Sequence, residues 1–223
     1  MKKDFSPMEF SNYFFASTEI IGIISASISG CIIARKCKFD LFGIMLCAIL
    51  SSLGGGIIRD ILIGALPPRS FYNYIYPLSS VITSLTVFTI FKILKNKIPL
   101  RQDLMRMLFL IFDAIGLASF SISGVQIGLE SGYGNNGYLC IILGMTTAVG
   151  GGIIRDVITA HVPLVLREEI YATASLLGSA IYYFAIKLGV NQALSLYVSM
   201  FLIILIRLLS IRYKWHLPKG DEE

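Results

Sequence analysis

Gly54-Gly55-Gly56-Ile57-Ile58-Arg59-Asp60 and Gly150-Gly151-Gly152-Ile153-Ile154-Arg155-Asp156 are the same seven residues, set 96 positions apart. A run of identity that long marks a duplication. Pro67 and Pro163 keep the same offset, as do the hydroxyl pairs Ser79/Thr83 and Ser175/Ser179. Upstream, Ser25-Ala26-Ser27-Ile28-Ser29-Gly30 matches Ser119-Phe120-Ser121-Ile122-Ser123-Gly124 at an offset of 94. The two-residue difference falls in the loop between the first and second helix of each unit, so the repeated unit contains three helices.

The surroundings of the motifs say what kind of helices these are. Of the 223 residues, 55% are hydrophobic and 15% charged, with a mean hydropathy of +0.74, where a soluble domain carries about 25% charged residues. Charge-free runs cover 20–34, 41–58, 70–91, 114–129, 131–154, 170–186 and 188–206, each near the ~17–25 residues that cross a bilayer. The uncharged flanks 10–18 and 107–112 extend the first and fourth. The expected fold is all-α: a polytopic membrane protein of seven transmembrane helices, two three-helix repeats plus one C-terminal helix. The expected divisions are 1–97 for the first repeat, 101–189 for the second, and 190–223 for the seventh helix and tail. The apolar stretch near the N-terminus is interrupted by Glu9 and Glu19 and is too long for a signal h-region, so it reads as a retained first helix.

A unit with three crossings begins on one side of the membrane and ends on the other, so its second copy enters upside down. Lys and Arg confirm the reading of sides: Arg35, Lys36, Lys38, Lys95, Lys97, Arg101, Arg106, Arg167, Arg212, Lys214 and Lys219 follow helices 1, 3, 5 and 7, against Lys2, Lys3, Arg69 and Lys187 opposite. The positive-inside rule makes the first set cytoplasmic, with the N-terminus outside and the C-terminus inside a cell inner (plasma) membrane. The net charge of +5 is spread over loops and forms no basic stripe, so nucleic acid is not an expected partner; the lipid bilayer is.

In transport proteins, inverted repeats bring discontinuous helices together near the midplane. Gly54, Gly55, Gly56, Gly150, Gly151 and Gly152 are candidate breaks, because glycine costs a helix roughly 1 kcal/mol relative to alanine. Close helix packing is the competing use of small residues, although that usually needs them four apart. Arg59, Asp60, Arg155 and Asp156 lie about one turn further on, inside the second and fifth spans. Ionisable groups at that depth face a cavity or one another. Each arginine could line a polar passage, with its aspartate holding it or capping the next half-helix; alternatively each binds a different neighbour and merely locks the bundle, since adjacent helix residues do not face each other. Ser25 and Ser29, with Ser119 and Ser123, form a polar strip on helices 1 and 4 that could line the passage or bond its own i−4 carbonyls. Asp113 and Glu19 read as mouth or interface groups, and Arg207 as a snorkelling one.

Catalysis has little support. His161 and His216 stand near helix ends without a triad or metal-ligand spacing, and there is no P-loop or His-Glu-x-x-His. Cys31, Cys37, Cys47 and Cys140 show no Cys-x-x-Cys spacing and read as packed thiols. No cofactor, metal or enzymatic activity is expected.

With the two Gly-Gly-Gly-x-x-Arg-Asp motifs, Asp113-Ala114-Ile115-Gly116-Leu117-Ala118, and the run from Val162 through Pro163 and Leu164 to Glu168-Glu169-Ile170-Tyr171-Ala172, the chain resembles the prokaryotic trimeric intracellular cation channels, a family also described as glycine transporters. The resemblance extends to Trp215-His216-Leu217-Pro218. It implies a homotrimer with a separate pore in each protomer and passive permeation of monovalent cations, chiefly potassium. The alternative it carries is a small amino acid (glycine) transporter using the same midplane site, where an arginine would meet the carboxylate. Two departures stand out: Phe71 replaces a tryptophan expected in many relatives, and the extended basic tail of animal members is absent.

Overall fold

The computed structural model describes residues 7–95, 102–167, 170–213 and 215. The sequence readings that rest on Lys2, Lys3, Lys97, Arg101, Glu168, Glu169, Lys214, His216 and Lys219, and the divisions placed at 97 and 101, lie outside the described residues.

Among the described residues, seven long helices and one short one follow in order: α1 (Pro7–Lys36), α2 (Leu41–Leu62), α3 (Ile75–Lys95), α4 (Gln102–Gly128), α5 (Gly137–Ile158), the one-turn α6 (Leu164–Arg167), α7 (Ala172–Lys187) and α8 (Gln192–Tyr213). A 3-10 turn, Arg69–Phe71, precedes α3, and a π turn, Leu129–Tyr133, extends α4. Six of the described helices are long and apolar enough to cross a membrane. The remaining long helix, α7, has 16 residues, about 24 Å at 1.5 Å per residue, and is held inside the bundle by α4, α5 and α8.

The repeat is legible in the caps. Asp40 accepts a hydrogen bond from the Gly43 amide at 2.8 Å and Asn136, 96 residues later, from the Leu139 amide at 3.0 Å, each satisfying a free amide at the start of its helix. At the other ends Gly64 and Ala160, again 96 apart, take φ of 70° and 55°. The amides of Ala65 and His161 then reach back to the carbonyls of Asp60 and Asp156, both at 2.8 Å.

The core is made between the repeats: α1 packs on α4 and α2 on α5, while α8 lies against α4 and α7. Buried serines tie each repeat internally. Ser27 and Ser52 meet Ser80 at 2.9 and 3.1 Å, and Ser121 meets Ser175 at 2.7 Å. The counterpart of Ser175 is therefore Ser80, at an offset of 95, and not the Ser79 that the sequence register suggests. Ser79 instead bonds the Ile75 carbonyl of its own helix; the stretch between the motif and α3 is one residue out of register with its copy.

The expected helix breaks are overturned. Both α2 and α5 run unbroken through Gly54–Gly56 and Gly150–Gly152, because the two helices cross there and each shields the other's bare backbone. A Cβ on Gly55 would strike the Thr147 carbonyl, and one on Gly151 the Ser51 carbonyl. The small residues serve close approach, as in other tightly packed membrane helix pairs.

Candidate functional site

Two charge clusters flank this crossing, one per repeat. In the first, the Arg59 guanidinium meets Asp60 Oδ1 at 2.8 Å through Nη2 and at 2.9 Å through Nε, and stands 4.0 Å from Glu19. Tyr76 and Ser123 donate their hydroxyls to Glu19. In the second, Arg155 meets Asp156 at 2.8 Å through Nε and Asp113 at 2.8 Å through Nη1, and donates to Ser29 Oγ at 3.1 Å. Phe109 lies with its ring centroid 5.0 Å from the Arg155 guanidinium. The clusters correspond residue by residue: Arg59 with Arg155, Asp60 with Asp156, Glu19 with Asp113, Ser29 with Ser123, and Tyr76 with Tyr171, which lines the second cluster.

The adjacent Arg-Asp pairs do bond each other, contrary to the expectation that neighbours on a helix point apart. The guanidinium is long enough to fold back on Oδ1, and that leaves Oδ2 of each aspartate for a second duty. Asp60 Oδ2 accepts from the Arg69 amide at 2.8 Å and Asp156 Oδ2 from the Leu164 amide at 2.9 Å. Each aspartate thus both holds its arginine and caps the segment returning after its helix.

Three further expectations are corrected. Asp113, read as a mouth group, is 5% exposed and paired with Arg155. Arg207, read as snorkelling, is 1% exposed, lies 4.6 Å from the Tyr171 ring centroid and donates to the Ile170 carbonyl; a cation–π contact replaces the aqueous phase. The serine strip divides: all four serines are buried, but it is Ser29 and Ser123 that join the ion networks, while Ser119 sits against Gly22 of α1. Of the cysteines read as packed thiols, Cys31, Cys47 and Cys140 are buried and Cys37 is half-buried.

Three cavities follow the clusters. One of about 40 Å³, called outer after the orientation expected from the sequence, is lined by Glu19, Ser52, Gly56, Arg59, Tyr76 and Phe120. A narrow one of about 10 Å³ is lined by Ser29, Asp113, Phe120, Gly152, Arg155 and Tyr171, which is room for about one water. A basin of about 390 Å³, called inner on the same expectation, is lined by Lys36, Arg106, Phe109, Asp156, His161 and Arg167. Phe120 borders the first two, and the Arg155–Asp156 step with Phe109 separates the second from the third. Phe120, Phe109, Tyr76 and Tyr171 were not singled out in the sequence. The offsets of 94 for Glu19/Asp113 and 95 for Tyr76/Tyr171 were the available signal.

Fold and site define a multi-pass α-helical membrane protein built on an inverted repeat, with paired ions on both sides of its central crossing. The family model described as Glycine transporter matches residues 17–92 and 110–187. Among curated proteins, a UPF0126 membrane protein of Vibrio cholerae is 36% identical over 203 residues, covering 89% of this chain and 79% of that one. The UPF0126 inner membrane protein YadS of Escherichia coli is 34% identical, covering 89% and 91%. Among solved structures, a prokaryotic TRIC channel crystallised in 0.5 M KCl is 36% identical with a TM-score of 0.82, covering 92% of this chain and 100% of that one. The TRIC trimeric intracellular cation channel orthologue from Rhodobacter sphaeroides is 28% identical with a TM-score of 0.80, covering 91% and 99%. The chain belongs to this family, the prokaryotic TRIC proteins whose family model carries the glycine transporter description.

Proposed function

We propose that the chain is a passive channel for monovalent cations, potassium among them, with one pathway per protomer running past the α2–α5 crossing. The observation that carries this reading is the charge balance at the clusters: Arg59 and Arg155 stand against Glu19, Asp60, Asp113 and Asp156, a formal excess of two negative charges. Each arginine is already paired with carboxylates of the protein, so neither is a bare positive barrier to a cation, and neither is free to clamp the carboxylate of an amino acid. The solved neighbours described as cation channels support the same reading.

The assembly is proposed to be a homotrimer in the inner membrane, with the N-terminus outside and the C-terminus cytoplasmic, and with the first and second three-helix units as its functional halves. The pathway charge is assigned to Arg59, Arg155, Asp60 and Asp156, with Ser29 and Ser123 beside it.

Purified protein reconstituted in vesicles tests this directly. Potassium flux down its gradient is expected, with a reversal potential that follows potassium rather than chloride, and no uptake of labelled glycine by the same vesicles. Glycine uptake without potassium flux would replace the channel reading with the transporter one.

A further inference from the structure

We propose that the third glycine of each motif, Gly56 and Gly152, is the floor of the permeation path, a role distinct from that of the packing glycines before it; this rests on the channel reading above. The three glycines of a motif look alike in sequence but meet different surroundings. Gly54, Gly55, Gly150 and Gly151 are buried, whereas Gly56 and Gly152 are half-buried and line the outer and narrow cavities. A Cβ on Gly55 or Gly151 would collide with backbone of the facing helix. On Gly56 it would lie 3.6 Å from Arg59 Nη2, and on Gly152 3.5 Å from both Arg155 Nη2 and the Tyr171 hydroxyl. Those are ordinary contacts, so packing does not forbid a methyl at either place.

Helix formation favours alanine over glycine, and both helices are continuous here. Neither packing nor helix geometry therefore accounts for a third glycine, yet both copies of the repeat carry it. What lies over Gly152 gives the reason. Arg155 Nη2 and Asp113 Oδ2 are buried without a close hydrogen-bond partner among the described residues, the Tyr171 hydroxyl standing near the Asp113 carboxylate, and all three residues line the narrow cavity. A buried donor and a buried acceptor facing one small space call for water or for a hydrated ion's own water. A methyl on Gly152 would fill that space and leave both groups unsatisfied. Gly56 holds the equivalent position beneath Arg59 in the wider outer cavity, where a methyl takes a smaller share of the room. The bare backbone thus keeps open the gap through which a cation and its water pass the arginine.

The test compares Gly152→Ala and Gly56→Ala with the parent chain, reading potassium flux in reconstituted vesicles and thermal unfolding in detergent. Gly152→Ala is expected to fold, with an unfolding temperature close to the parent's because the helix preference of alanine offsets the lost hydration of Arg155 and Asp113, while its flux falls about tenfold or more, a rise of roughly 1.4 kcal/mol in the barrier. Gly56→Ala is expected to fold equally well and lose less flux. Parent-like flux in a folded Gly152→Ala protein overturns the proposal, and so does a failure of that variant to fold, since the proposal requires room for the methyl. The parent's own flux reads the channel assignment separately. If the parent carries glycine in place of potassium, the same variant-to-parent ratio is read on glycine uptake, and an absence of both fluxes rejects the pathway altogether.

Discussion

At the scale of single residues, the two arginines share a sequence motif but not an environment. Arg155 is 1% exposed, with Asp156 and Asp113 both at 2.8 Å, while Arg59 has one close carboxylate, Asp60, and a looser one, Glu19, at 4.0 Å. Removing one member of a buried ion pair strands its partner, at a cost of about 3–5 kcal/mol. Arg155→Gln should therefore destabilise the protein in that range and Arg59→Gln by less, measured as unfolding in detergent. Because Asp113 is the group left stranded, adding Asp113→Asn to Arg155→Gln should recover part of the loss, as coupled neighbours do. Equal destabilisation by the two arginine variants, with no recovery in the double variant, would mean that the clusters do not differ as their distances indicate. None of this difference was readable in the motif itself, because Glu19 and Asp113 reach the arginines from other helices. Their carboxylates also differ by a methylene, a length that lets Glu19 reach Ser123 across the repeat boundary.

At the scale of elements, the sequence made the spans, the duplication and the inversion legible, since these depend on where charge is missing and on an odd number of crossings. It did not reveal that the glycines would leave the helices intact. Glycine lowers helix propensity in isolation, but whether a segment unwinds depends on what covers its backbone, and that is supplied by the partner helix 96 residues away. The serine register failed for a related reason: the stretch between Pro67 and α3 is one residue longer than its copy, which moves the true counterpart from Ser79 to Ser80. The crossing yields its own prediction. Gly55→Ala or Gly151→Ala places a methyl against a facing carbonyl, where relief requires the helix backbones to part, and overpacking of this kind costs about 1–3 kcal/mol or more. Both variants should lower the unfolding temperature, and by more than alanine at Gly56 or Gly152 does. A uniform response across the motif would return the glycines to a single role.

At the scale of the molecule, the repeat and the distribution of charge must agree on one orientation. Arg35, Lys36 and Lys38 lie between α1 and α2, Arg106 in the first turns of α4, Arg167 at the end of α6 and Arg212 at the end of α8; alternation of the helices brings these to one end of the bundle. Arg69 and Lys187 lie at the other. The same basic end holds the inner basin lined by Lys36, Arg106 and Arg167. The positive-inside rule predicts that this end faces the cytoplasm, and with it that the Glu19–Arg59 cluster lies in the outer half and the Asp113–Arg155 cluster further in. A reporter fused after Glu223 should accordingly be cytoplasmic, and a cysteine introduced at Gly134, in the turn between α4 and α5, should react with an impermeant thiol reagent added outside intact cells. Native background should be low, because Cys31, Cys47 and Cys140 are buried and Cys37 is half-buried near the cytoplasmic end. Reaction of the Gly134 cysteine only after the cytoplasmic face is opened would reverse the orientation. The inner basin would then become the outer mouth, and the more tightly paired arginine would guard the side from which cations enter rather than the side at which they leave.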